Sequence, residues 1–225
     1  MGVSEKEMVA ASAVKHGAAV GRGAAVERVA TSPEGATRTT QDESTVLNLG
    51  CGLSHVAGAV NLDVTTETKP DVVHDLNLRP WPFESDRFEE VLAHDVVEHL
   101  DDVIGTFEEI HRVCRDGAIV RVSVPHFSCA NAYTDPTHLH LFGYFTPDYI
   151  AGTKAEFAYY TTAKFRIRHR QIIFWPTLVN KLVWRLANRS PMRYEMRWAW
   201  MFPALFLSFE LEVVKKQETV DGCEK

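Results

Sequence analysis

One stretch constrains this chain more than any other: Val46-Leu47-Asn48-Leu49-Gly50-Cys51-Gly52, a short apolar run that ends in a glycine turn. Residues 59–63 form a second apolar run, closed by Asp63, 11 residues past Gly52. Strand, glycine turn, strand and acid is the layout of an α/β fold that holds a nucleotide-like ligand at its strand ends. Glycine lets the backbone approach such a ligand because no Cβ stands in the way. An acid at the end of the second strand can accept hydrogen bonds from a ribose. The bland alternative is a tight turn for the glycines and a strand-end cap for the aspartate. The spacing adds one expectation: a full helix needs about 20 residues between glycines and acid, so the first helix here is shortened or lost, and residues 53–58 replace it.

At 225 residues the chain has room for one domain of ordinary size with extra segments. A net charge of −6 argues against a general nucleic-acid binder. Cys51, Cys114, Cys129 and Cys223 form no CxxC pair, which fits free thiols in a reducing compartment. The N-terminus lacks an uninterrupted apolar core, and the strongly apolar stretch 198–209 is too short to span a bilayer. A cytoplasmic protein is expected. Residues 1–44, rich in Ala, Gly, Ser and Thr, read as a disordered arm, 45–216 as the folded domain, and 217–225 as a polar tail.

Further strands are expected at 71–76, 88–93, 118–124, 165–174 and 205–214, with Leu207, Phe209, Leu211 and Val213 on one face of the last. A helix is expected from an Asp101 N-cap to Cys114, with a Glu108–Arg112 surface pair and Gly117 as its stop. Residues 125–163 show no period and read as a substrate loop or lid, with Thr146 capping a short helix that Pro147 opens. A second helix is expected at 177–188, and helical or irregular chain at 192–201.

The ordered motifs NLGCG (48–52), NLDV (61–64), VVHDLN (72–77) with PWPF (80–83), FEEVLAHDVVEHL (88–100) and IHRVCRDGAIVRVSVP (110–125) resemble the class I S-adenosylmethionine-dependent methyltransferases, and their type 11 branch in particular. The resemblance implies a Rossmann-like, seven-stranded, mostly parallel sheet with strand 7 antiparallel. It implies S-adenosyl-L-methionine as cofactor. The implied site comprises Asn48, Gly50, Cys51 and Gly52 near the methionine and ribose, Asp63 on the ribose hydroxyls, Asp75 and Leu76 beside the adenine, and His94 and Asp95 at the methionine end.

Transfer to a hydroxyl needs positioning and, where a proton must leave, a base. His126, His138 and His140 are the candidates, since they fall in the 125–163 segment. Each also reads as a histidine that only hydrogen-bonds the lid. Asp95, Glu98 and His99 stand at i, i+3 and i+4, a face of ligand types suited to a divalent metal; the same residues are common in relatives without one, and no metal is favoured. Residues 164–197 carry nine Lys and Arg against one acid, Glu195, with tryptophans interleaved. Arg166, Arg168 and Arg170 are expected on one strand face. The segment reads either as a solvated, edge-protecting surface or as a patch for an anionic acceptor or anionic membrane. Nucleic acid is disfavoured by the acidic remainder. The expectation is a methyltransferase acting on a small molecule or a glycan- or lipid-linked intermediate, by O- or C-methylation, with peripheral membrane contact through residues 164–209. The competing class is a non-catalytic protein that binds S-adenosylmethionine or a membrane surface.

Overall fold

A computed structural model describes residues 44–152, 156, 157 and 159–215. The expectations for the N-terminal arm and the polar tail fall almost wholly outside these residues.

Seven strands form one sheet: β1 (Val46–Leu49), β2 (Val60–Asp63), β3 (Val72–Val73), β4 (Phe88–His94), β5 (Cys114–Pro125), β6 (Phe165–Ile173) and β7 (Phe206–Val213). Their order is β3-β2-β1-β4-β5-β7-β6. β1 to β5 pair in parallel, and β7 inserts antiparallel between β5 and β6. Leu47, Leu49, Val60, Leu62, Val91 and Ala93 are buried, because a parallel sheet is covered on both faces. β7 alternates as expected: Leu207, Phe209, Leu211 and Val213 are buried in turn. Helix α1 (Val103–Val113) lays Phe107, Ile110 and Val113 onto this sheet, and Phe107 meets the rings of Phe165 and Phe209. Each such side chain stabilises the fold by about 1.5–3 kcal/mol on burial.

The expected loss of the first helix is borne out: residues 50–59 contain only turns. Other local expectations are corrected. Asp102, not Asp101, caps α1, with its Oδ1 accepting from Gly105 N at 2.9 Å; the Asp101 amide is held by Asn77 Oδ1. The helix ends at Val113, because Cys114 already pairs with Phe88 in the sheet. Gly117 lies within the irregular start of β5 rather than stopping a helix. Arg112 pairs with Glu109 at 2.6 Å, while Glu108 accepts from Thr161 Oγ1 and Thr162 N. β3 is two residues long, as Asp75 turns the chain by accepting from Asn77 N. A bulge between Ile167 and His169 puts Arg166 opposite Glu212 but Arg170 opposite Phe209, so the three arginines do not share a face. Arg166 and Arg168 pair with Glu212, and Arg170 with the buried Asp148.

The described residues of the 125–163 segment include α2 (Asn131–Thr134) and α3 (Thr146–Ala151) among turns. Phe145, not Thr146, is the α3 N-cap, and Thr146 Oγ1 accepts from Gly143 N inside the turn before it. Thr177 caps α4 (Leu178–Arg189), and α5 (Pro191–Arg197) follows directly.

Candidate functional site

The implied cofactor residues lie at the C-terminal ends of β1, β2 and β4 and just after the short β3, where open α/β sheets bind ligands. Gly50 and Gly52 have φ of +56° and +50°, left-handed values that L side chains rarely adopt. A Cβ on Gly50 would lie 2.5 Å from Val96 Cγ2, so the turn after β4 packs directly against this glycine. A Cβ on Gly52 would meet nothing within 4 Å. Open space thus stands over Gly52, as a bound cofactor requires. Asp63 Oδ2 accepts from Gly52 N at 2.7 Å and Oδ1 from Thr65 N at 3.2 Å. The carboxylate therefore fixes the glycine turn, and its remaining lone pairs are available to hydroxyl donors.

Two of the implied residues also have structural work. The Asn48 amide nitrogen donates to Ser54 O at 3.0 Å and to Asn61 Oδ1 at 2.9 Å, and Asn48 is buried. Cys51 N donates to Leu62 O, Cys51 O accepts from Ser54 N, and its side chain is buried. Both residues build the turn. Asn61, the partner of Asn48, carries no mark of this role in the sequence. Its Oδ1 also accepts from Val56 N, and its amide nitrogen donates to Val56 O and Asp71 Oδ2. This buried pair of side-chain amides holds residues 53–58 where a helix stands in longer units. The NLG and VNLD strings contain both residues, but nothing local marks them as mutual partners.

Asp75 lies in the turn after β3. Leu76 is buried, and its carbonyl accepts from Trp81 Nε1. His94 ends β4 half-buried. Asp95 follows with φ +50°, a left-handed conformation that aspartate tolerates better than most residues, and its amide donates to Ser123 O.

The three histidines separate by environment. His126 is 0% exposed; its Nδ1 contacts Ser128 Oγ at 2.9 Å and its Nε2 contacts Glu195 Oε1 at 3.2 Å. Glu195 also accepts from Tyr144 N, so His126 and Glu195 tie the lid to α5. With both ring nitrogens engaged, His126 is not placed as a base. His140 is half-buried, and its Nε2 is buried without a hydrogen-bond partner among the described residues. His138 is drawn to the turn after β4, where Glu98, His99 and His138 present ligand atoms all within 4.8 Å of one another. Asp95 is not part of this cluster. Residues 97–99 form a 3-10 turn rather than an α-helix, so the expected shared face of Asp95, Glu98 and His99 does not arise. Burial pushes the Cys129 thiol pKa up, and the charge of Asp95 adds to the rise.

No helix of the described residues is long and apolar enough to cross a membrane.

Residues 47–122 match the model of a family described as a methyltransferase domain. No curated protein matches the chain. Similar solved structures include S-adenosylmethionine-dependent methyltransferases from Archaeoglobus fulgidus (16% identity, 77% of this chain and 87% of that one, TM-score 0.48) and Mesorhizobium loti (16%, 76% and 92%, 0.45). A Haemonchus contortus phosphoethanolamine N-methyltransferase solved with S-adenosyl-L-methionine is 14% identical over 80% of this chain and 50% of that one, at a TM-score of 0.48. The family match and the strand order, rather than these distant folds, assign the domain. Over residues 47–122, then, the chain is similar to a methyltransferase domain.

Proposed function

We propose that the chain methylates a hydroxyl or carbon on a small molecule or a glycan- or lipid-linked intermediate, taken up beneath the 125–163 segment. The observation that carries this reading is the pairing of a glycine–aspartate floor with a folded lid. Gly52 keeps the floor open, Gly50 lets the β4 turn pack beneath it, and Asp63, tied to the Gly52 amide, is the group for the ribose hydroxyls. Asp75 with Leu76 flanks the adenine, and His94 and Asp95 border the methionine end. When bound, S-adenosyl-L-methionine would supply a sulfonium methyl group: an electron pair of the acceptor oxygen or carbon forms the bond to the methyl carbon, the carbon–sulfur pair returns to sulfur, and the acceptor's proton leaves to water. The chain's own part is to orient the acceptor and exclude water. His140, with its buried Nε2 open, offers the acceptor a hydrogen bond. His126 acts at one remove, by holding the lid to α5.

A second observation favours an acceptor at a membrane surface. Leu178, Leu182 and Leu186 form an exposed stripe along α4, and Leu178 is 85% exposed. Lys181, Arg185 and Arg189 run beside it. Trp175, Trp200 and Met196 extend the exposed apolar surface. Apolar side chains bordered by cations on one helix suit the interface of an anionic bilayer. The reading in which the chain binds cofactor or membrane without transfer remains the competing outcome of the test.

That test is calorimetry with S-adenosyl-L-methionine, followed by labelled-methyl transfer into fractionated cell extract. Binding with label in a lipid or polar small-molecule fraction is the expected result. Binding with no labelled product in any fraction would favour the non-catalytic reading.

A further inference from the structure

We propose that Glu98, His99 and His138 bind one divalent first-row transition-metal cation, and that its open coordination positions hold the oxygen of the methyl acceptor. The first two ligands come from the 3-10 turn after β4 (Val97–His99), and the third comes from the lid. The lid is fastened there by its backbone, since Leu139 N donates to Glu98 O at 2.8 Å and His140 N to the same oxygen at 3.3 Å.

The proton positions favour a metal. Thr137 Oγ1 donates to Asp135 Oδ1 at 2.6 Å, so its oxygen is left to accept from His99 Nδ1 at 2.9 Å. His99 is thereby held with its proton on Nδ1 and a lone pair on Nε2. His138 Nδ1 faces Ala132 O at 3.4 Å, a carbonyl that can only accept, so in the neutral ring the lone pair is also on Nε2. A ligating imidazole is characteristically oriented this way, with its other nitrogen bonded to a carbonyl or to a group backed by a carboxylate. Asp135 provides that backing.

The spacing fits as well. Glu98 is 1% exposed, and His138 Nε2 stands 4.0 Å from Glu98 Oε1, too far for a hydrogen bond. Donors about 2.0–2.2 Å from a metal lie at most about 4.4 Å apart, so the trio is a small side-chain adjustment from binding distance. A carboxylate facing two imidazoles at this spacing is the donor set that a divalent cation completes. Two nitrogens and one oxygen select a transition cation over magnesium or calcium, which take oxygen ligands. Three protein ligands leave positions open, as catalytic sites do.

The site adjoins the place of transfer. Glu98 lies two residues past Val96, which packs against Gly50. An acceptor hydroxyl on the cation loses its proton to water more readily, and its lone pair then forms the oxygen–carbon bond as the carbon–sulfur bond breaks with its pair on sulfur. This last step rests on the methyltransferase reading, whereas cation binding does not.

The experiment is a titration of chelator-treated full-length protein with cobalt(II), read by visible absorption, and with zinc(II), read by calorimetry. One equivalent is expected for each. His138→Ala and Glu98→Gln should abolish stoichiometric binding. Asp135→Asn should weaken it about 10–100-fold while leaving all three ligands in place. The exposed His55→Ala should change nothing. Retained S-adenosyl-L-methionine binding by His138→Ala shows that the variant is folded. A wild-type protein that takes up neither cation, or His138→Ala and Glu98→Gln variants that bind like wild type, would overturn the proposal. Metal uptake without S-adenosyl-L-methionine binding would sink the methyltransferase reading and leave the metal site standing.

Discussion

Gly50 and Gly52 share a backbone conformation but not a neighbourhood, and this difference makes a sharp prediction. Each has positive φ, so alanine at either costs about 1–2 kcal/mol from the left-handed conformation alone. At Gly52 that is the whole cost, because the new methyl meets open space. At Gly50 the methyl would stand 2.5 Å from Val96 Cγ2 and 2.8 Å from Val96 Cβ. Overpacking of this kind adds about 1–3 kcal/mol, for a total of about 2–5 kcal/mol. For a chain of this size each kcal/mol lowers Tm by about 2–4 °C. Urea and thermal unfolding of both variants should therefore rank Gly50→Ala well below Gly52→Ala. A Val96→Ala background removes the nearest methyl but leaves the Cβ, so the double-mutant cycle should return part of the loss, about 1 kcal/mol. For cofactor binding the order reverses in kind. Gly52→Ala puts its methyl into the space over the turn and should weaken S-adenosyl-L-methionine in calorimetry while the fold survives. Equal destabilisation by the two substitutions, or no coupling to Val96, would refute the close approach of the β4 turn to the glycine floor.

Other expectations follow from single contacts. Asn61→Leu leaves Asn48, Val56 and Asp71 groups without their partner, and should cost about 1–3 kcal/mol in urea unfolding together with weaker cofactor binding. Asp102→Ala removes the α1 cap and should cost about 1 kcal/mol. The Asp102 pKa is depressed, chiefly by the bond from the Gly105 amide and then by Arg79, so its contribution is present above the unfolded carboxylate value and lost as pH falls through the folded one. A pH titration of stability should show the wild-type excess over the variant vanish in acid. Leu182→Glu on α4 should reduce co-sedimentation with anionic vesicles and leave S-adenosyl-L-methionine binding unchanged; wild-type sedimentation that ignores anionic lipid would dismiss the membrane reading.

Much of the sheet was legible because its signals are local. The alternation of Leu207, Phe209, Leu211 and Val213, and the apolar runs of β1 and β4, each need only one strand's periodicity. The glycine turn and Asp63 were legible by their order, and their direct hydrogen bond makes them one unit. What escaped depends on registers that the string does not carry. The bulge beside Arg168 reverses the face of every later β6 residue, and single-strand periodicity cannot foresee it. His138 reaches Glu98 only because the lid folds back across 40 residues, while Asp95, closer in sequence, has a left-handed backbone and lies outside the cluster. The Asn48–Asn61 bond is likewise invisible in the motifs, because neither string marks the other as its partner.

The missing first helix also bears on how the molecule assembles. β1 and β2 pair residues only 13 apart, Leu47 with Val60, whereas β5 and β7 pair residues 93 apart, Ile119 with Glu212. Closing the longer loop costs about 1.7 kcal/mol more in chain entropy. The cofactor end of the sheet is therefore its most local part. It can form first on the way to the native state and serve as the template on which the distant C-terminal strands dock.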